Sequence, residues 1–189
     1  DWYKGMGPEN AAGCKGWAMS GNIKYNGLME FDMNTTFKEI IEDVCGGIQK
    51  KKSLKVIHVG GVTGGFLPPE KADTKTDYES LLSAGVIMGQ ASFAAYDNST
   101  CIIDLTRFAI SFNEGETCGK CTPCRMGLTL IKNTLDRIAS GRGKMEDLDK
   151  LQVICEEINI TSLCGLGETA VKCVLTGLKY FRKEYEKHI

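Results

Sequence analysis

The sequence predicts an α+β unit followed by an all-α unit, and three observations predict it. Glycine and proline are concentrated before residue 98, where three of the four prolines fall. The apolar residues there occur in short runs separated by turn residues. Beyond residue 98 the apolar residues recur every three or four positions in four separate stretches, the spacing of amphipathic helices.

In chain order, residues 17–23 read as a strand with a turn, and residues 27–33 as its hairpin partner. Asn34, Thr35 or Thr36 is placed to cap a helix through Phe37, Ile40, Ile41 and Val44, ended by Gly46 and Gly47. Residues 54–59 form a β-branched strand that runs into the glycine-rich segment 60–65. A short helix over 77–84 and a last strand within 87–96 complete the first half. A helix packed on a mixed sheet in this order is β-grasp-like. In the second half, Leu105, Phe108, Ala109 and Phe112 form one helical stripe. Leu128, Ile131, Leu135 and Ile138 form the next, stopped at Gly141, and Leu148, Leu151, Cys155 and Ile158 the third. Val171, Val174, Leu175, Leu178, Phe181 and Tyr185 form the fourth. Four such helices with short connections predict a four-helix bundle.

Composition excludes several classes. A hydrophobic fraction of 42% and a charged fraction of 25% are those of a globular protein with its own core. The net charge of −1 provides no basic field for nucleic acid, and Lys50, Lys51 and Lys52 read as a solvated loop rather than a polyanion site. No apolar run approaches the ~20 residues that span a bilayer, so no direct membrane insertion is expected. The start at Asp1 has neither a signal peptide nor an initiating Met, which suggests a piece of something longer. Nine cysteines, an odd number with no secretion signal, argue for reduced thiols in a cytoplasmic setting, some of them ligating metal.

The chemistry lies in Cys118, Cys121 and Cys124, spaced i, i+3, i+6. No regular helix or strand aims all three at one point, but a tight loop around a compact centre does, as thiolates reach different irons of a cubane. Cys164, 40 residues after Cys124 in a glycine-rich break with Gly165, is the expected fourth ligand of a [4Fe–4S] cluster. Thr122 is placed to cap a helix with Pro123 at its first position, which puts Cys124 in the first turn, at the positive end of the helix dipole. Gly119 lies within the loop, and Lys120 and Arg125 add positive charge that favours thiolate.

Other readings stand beside this one. Zinc would use two pairs of ligands, whereas here three cysteines are packed together, the fourth is single and no His is near. A redox dithiol would leave a third cysteine unexplained. Cys155 and Cys173, on or next to apolar stripes, compete with Cys164 as fourth ligand but read better as core residues, and Cys14, Cys45 and Cys101 are isolated. The segment 60–65 matches no phosphate-binding pattern and reads as a tight turn. His58 reads as a strand residue and His188 as a surface residue, neither with a visible Ser or Cys partner, and Asp73, Asp77 and Glu79 as a solvated loop.

Residues 116–125, Glu-Thr-Cys-Gly-Lys-Cys-Thr-Pro-Cys-Arg, resemble the E-S-C-G-K-C-T-P-C-R signature of the family of NADH-oxidising flavoprotein subunits, which includes the flavin subunit of respiratory complex I and homologous subunits of NAD(P)-linked hydrogenases and formate dehydrogenases. Residues 162–167 are similar to its S-L-C-x-L-G segment, residues 60–65 to its G-G-x-S-G-G with Thr63 in place of Ser, and residues 178–182 and 185–189 to its last helix. The resemblance implies a β-grasp domain of the soluble-ligand-binding type over 14–97 and a helical [4Fe–4S] domain over 98–189. Cys118, Cys121, Cys124 and Cys164 then become the ligands. It implies that the FMN- and NADH-binding domain precedes residue 1, with residues 1–13 its tail, and that the fragment alone does not oxidise NADH. Some hydrogenase-type relatives continue into a ferredoxin-like extension, whereas this chain stops at Ile189. FMN and NAD(P) would belong to the full-length subunit. The implied partners are the FMN/NADH-binding domain, a thioredoxin-like [2Fe–2S] subunit and a large Fe–S subunit. The implied function is electron transfer from FMN through the cluster towards other Fe–S subunits. The alternative is a structural or subunit-binding module whose zinc or cluster only staples the helices.

Overall fold

The computed structural model describes residues 2–189. The chain divides into two compact units, one comprising residues up to Gly61 with Phe66–Thr100, the other Val62–Gly65 with Cys101–Ile189. The glycine-rich segment is thus split, with Val62–Gly65 grouped with the helices.

The first unit is a mixed sheet of β1 (Cys14–Gly21), β2 (Gly27–Asp32), β3 (Leu54–Val59), β4 (Gly65–Leu67) and β5 (Ser92–Asp97), in the order β2-β1-β5-β3-β4. β1 is antiparallel to β2 and parallel to β5, and β3 is antiparallel to β5. This is the α+β, β-grasp-like arrangement that the sequence predicts, with one addition: the chain leaves the glycine-rich turn directly into the short strand β4. Gly60 and Gly61 do turn the chain, with φ of 72° and 70° that a side chain would disfavour. Alternation along β1 and β5 aims Trp17 and Phe93 at the core, where both meet Phe37 edge-on at centroid distances of 5.6 and 5.5 Å.

Phe37 opens α1, which begins as Phe37–Glu39 and continues as a π-helical turn over Ile40–Val44. Of the three possible caps the structure uses Thr36, in a reciprocal capping box with Glu39. The expected regular helix is widened: the Cys45 N–H donates to the Ile40 carbonyl, five residues back, at 2.8 Å. The extra residue makes Cys45 rather than Val44 complete the buried face with Ile40 and Ile41. Asp77, expected in a solvated loop, instead caps α2 (Tyr78–Ser83) by accepting from the Ser80 N–H. The lysine run is also more than a solvated loop. Lys50, Lys51 and Lys52 are all exposed, and Lys52 in addition pairs at 2.9 Å with buried Asp97. The segment before β1 is fixed to this unit, since the Gly7 N–H donates to Asp32 Oδ2 at 2.8 Å.

The second unit contains α3 (Ile102–Glu116), α4 (Thr122–Ala139), α5 (Met145–Thr161), a five-residue α6 (Gly165–Thr169) and α7 (Lys172–Glu186). α3 packs on α4 and α7, and α5 packs on the same two, so the four long helices form a closed ring. The stripe assigned to α4 is buried throughout, and so is that assigned to α5. On α3 the stripe is displaced: Phe108 and Phe112 are 62% and 49% exposed, and the core takes Ile102, Ile103, Thr106, Ala109, Ile110 and Asn113. Two polar residues sit inward because each has a partner. Thr106 Oγ1 lies 2.7 Å from Tyr185 Oη, and Asn113 Nδ2 donates to the Val62 and Ala170 carbonyls at 3.0 Å each. In α7, Phe181 leaves helical geometry at φ −128°. Among the described residues no helix is long and apolar enough to cross a membrane.

His58 is buried on β3 against Phe66, with ring centroids 4.8 Å apart, and burial lowers its pKa to about 4. The neutral ring is the folded form, so its contribution to stability is complete above about pH 6.5 and is lost as pH falls through about 4. The difference corresponds to at most about 3 kcal/mol. Thermal melts should therefore show the midpoint dropping over this window, with a smaller drop in His58→Gln.

Candidate metal centre

Cys118 follows Thr117 in the link between α3 and α4 and is exposed. Gly119 turns the link at φ 73°, and its carbonyl accepts from Arg125 Nη1, which closes the loop onto the first turn of α4. Lys120 is exposed on the same loop. The cap of α4 is one residue earlier than expected: Cys121 occupies it, Thr122 and Pro123 follow, and Cys124 is the third helical residue. Thr122 is therefore not the cap, because the chain becomes helical one step before its hydroxyl reaches that position. No side chain caps α4, so the free N–H groups of an 18-residue helix surround Cys121 and Cys124.

Cys164 precedes α6 as its own uncapped first residue, is exposed, and is followed by exposed Gly165. The break expected here thus contains a short helix. The two segments meet at Gly167. A Cβ there would stand 2.4 Å from both Cβ and Oγ of Ser162 and 3.5 Å from Cys124 Cβ. Ser162 thus demands glycine at this position, while the approach to Cys124 is an ordinary packing distance.

The thiols respond to this arrangement. The Leu163 N–H, followed by amides of the first α4 turn, holds Cys121 below the ordinary thiol range. Burial pushes Cys124 up, opposed by the Thr117 hydroxyl, and the charges of Cys121 and Cys164 push it further. Thr117 Oγ1 lies 3.2 Å from Cys124 Sγ and accepts from the Gly119 N–H at 3.4 Å, leaving its own proton free to point at the sulfur. Cys121 and Cys164 are thus each within electrostatic reach of Cys124, with Cys118 on the loop that leads into α4. Among the described residues no three His, Cys, Asp or Glu side chains are gathered tightly enough to hold a single metal ion.

The remaining cysteines lie elsewhere. Cys155 and Cys173 are buried among the helices of the bundle, and burial raises both thiols, Cys173 to about 12. Cys173 Sγ also points at the Val62 carbonyl, 3.5 Å away. Cys14 and Cys45 face Met6 and Met19 sulfurs at 3.7 and 3.6 Å. His188, expected to have no such partner, has Cys101 Sγ 3.8 Å from its Nε2. Thr117, Ser162 and Gly167 also belong to the site; the sequence places them in the two cysteine segments but gives them no role. Each is small and adjacent to a cysteine segment, but nothing in their types says which way they face.

Residues 104–188 match the family model of the NADH-ubiquinone oxidoreductase-F iron-sulfur binding region. The match covers a little under half of the chain. The chain as a whole is similar to subunits of NADH-quinone oxidoreductases and of an NADP-reducing hydrogenase. It is 39% identical over its full length to the NADP-reducing hydrogenase subunit HndC of Solidesulfovibrio fructosivorans, and 36% identical to an NADH-quinone oxidoreductase F subunit of Rhizobium meliloti. It spans 39% and 45% of those two proteins. An air-oxidised NAD+-reducing [NiFe]-hydrogenase superposes with a TM-score of 0.88 at 25% identity, over all of this chain and 32% of that one.

The donor set fits an iron–sulfur group: two exposed thiols, one half-buried and one buried, with Cys121 and Cys124 at the uncapped start of a helix, and a buried Ser162 Oγ without a partner. Gly167→Ala tests the close approach. Within a helix, alanine would ordinarily stabilise by up to about 1 kcal/mol. Here the clash with Ser162 should reverse the sign and destabilise by about 1–3 kcal/mol, read by thermal unfolding, and should lower the iron bound per chain.

Proposed function

We propose that the chain is the electron-relay part of an NAD(P)H-linked flavoprotein oxidoreductase subunit, with Cys118, Cys121, Cys124 and Cys164 holding one [4Fe–4S] cluster. When bound, the cluster supplies a one-electron carrier between a flavin in the remainder of the subunit and Fe–S centres in partner subunits. The observation that carries the reading is the gathering of Cys121, Cys124 and Cys164 beside the uncapped start of α4 in a region of the iron–sulfur family. The α4 dipole and its free amides stabilise thiolate and added negative charge, and Arg125 holds the loop closed through the Gly119 carbonyl.

Because the chain spans about two fifths of its relatives, NADH oxidation itself belongs to the whole subunit in this reading. An FMN/NADH-binding domain, a thioredoxin-like [2Fe–2S] subunit and a large Fe–S subunit are its partners, in the cytoplasm. The thiols, rather than a bulk surface field, define the function, since the net charge is only −1.

Anaerobic iron and acid-labile sulfide analysis with EPR tests this. The expected result is about four irons and four sulfides per chain, with a spin-half signal after dithionite. Cys121→Ala should no longer assemble the four-iron cluster. Zinc in place of iron, with no reversible reduction, would leave a structural staple and overturn the relay.

A further inference from the structure

Ser162 is 9% exposed, and its Oγ is buried with no hydrogen-bond partner. A buried hydroxyl left unpaired costs about 1–3 kcal/mol, and this one is easily avoided, because alanine would keep the same backbone at this end of α5. The Oγ lies beside Gly167, whose Cβ position is in turn 3.5 Å from Cys124 Cβ, and Ser162 stands two residues before Cys164. The hydroxyl therefore stands where the two thiolate-bearing segments meet, and is bonded to neither.

We infer that Ser162 is a potential-setting residue: its hydroxyl donates to a sulfur of the cluster or of a ligating thiolate. This rests on the cluster assignment above and goes beyond it. An O–H donor withdraws charge from sulfur and favours the more negative, reduced state, so it raises the reduction potential. Thr117 makes the same kind of bond to Cys124 Sγ at 3.2 Å, so Cys124 has a hydroxyl on the α3 side and Ser162 on the α6 side. Ser162 is a positioning and tuning residue, and contributes no iron ligand.

The experiment compares wild type, Ser162→Ala and Ser162→Thr after anaerobic reconstitution, counting iron and sulfide before an EPR-monitored redox titration. Ser162→Ala should load four irons and shift the oxidised-to-reduced ratio at a fixed potential about tenfold towards oxidised, a midpoint about 59 mV more negative for a one-electron couple. Ser162→Thr, which keeps the hydroxyl, should restore much of the wild-type midpoint. Full loading with an unchanged midpoint in Ser162→Ala overturns the inference and leaves the cluster assignment standing. A wild-type chain that binds no four-iron cluster overturns the assignment instead. Loss of loading in both variants makes the residue structural, which also overturns the inference.

Discussion

The site depends on one close approach. Gly167 is where the start of α6 meets the first turn of α4, its Cβ position 3.5 Å from Cys124 Cβ, and Ser162 on the same segment leaves no room for a side chain there. The two segments are about forty residues apart along the chain and are joined by the whole of α4 and α5. An α-hairpin of that length can bring its ends together in many registers. The ring of α3, α4, α5 and α7 fixes one register. How close the loop before α4 comes to the distant Cys164 segment is therefore as precise as the packing of the bundle. Arg137 and Asp147, at 2.7 Å across the α4–α5 connection, fix the far end of the same hairpin.

Electrostatics then follow from where the chain becomes helical. Because α4 starts at Thr122 with Cys121 as its cap, no side-chain oxygen caps its first turn, and the Cys121 thiol lies among the amides there. An ordinary Ser or Asp cap would consume those donors. Their being left free costs the isolated helix some stability, typically about 1 kcal/mol for a lost cap, and makes the amides available to anionic sulfur. The helix start is in this sense kept unfinished for the site.

Much of this is legible in the sequence, and what is not legible has identifiable causes. The spacing of Cys118, Cys121 and Cys124 marks the loop because no regular element explains it. The stripes of α4 and α5 predict the buried faces correctly because each helix has one apolar face. On α3 the pattern misleads because there are two. Phe108 and Phe112 make a stripe as regular as the buried one, and the choice between them is made by Thr106 and Asn113, polar residues whose partners lie 79 and up to 57 positions away. The π-turn in α1 is invisible for a similar reason. One additional residue per turn leaves the apolar pattern nearly intact and changes only which residue, Cys45 rather than Val44, completes the face. Ser162 and Gly167 carry no periodic signal at all, since their importance is a distance between two segments.

Burial also sorts the nine cysteines more clearly than sequence position does. Cys155 and Cys173 lie on helix faces that the ring encloses, and desolvation raises their thiols until they act as small apolar side chains. Cys118 and Cys164 are exposed, and Cys121 and Cys124 lie beside the amides at the start of α4. A thiol serves as a metal ligand only as thiolate. Of the two mid-helix rivals for the fourth position, neither can reach that state without losing the dry surroundings that hold it in place. Cys164 stands outside those enclosed faces, exposed in the glycine-rich break, so the dry surroundings that make small apolar side chains of Cys155 and Cys173 do not extend to it.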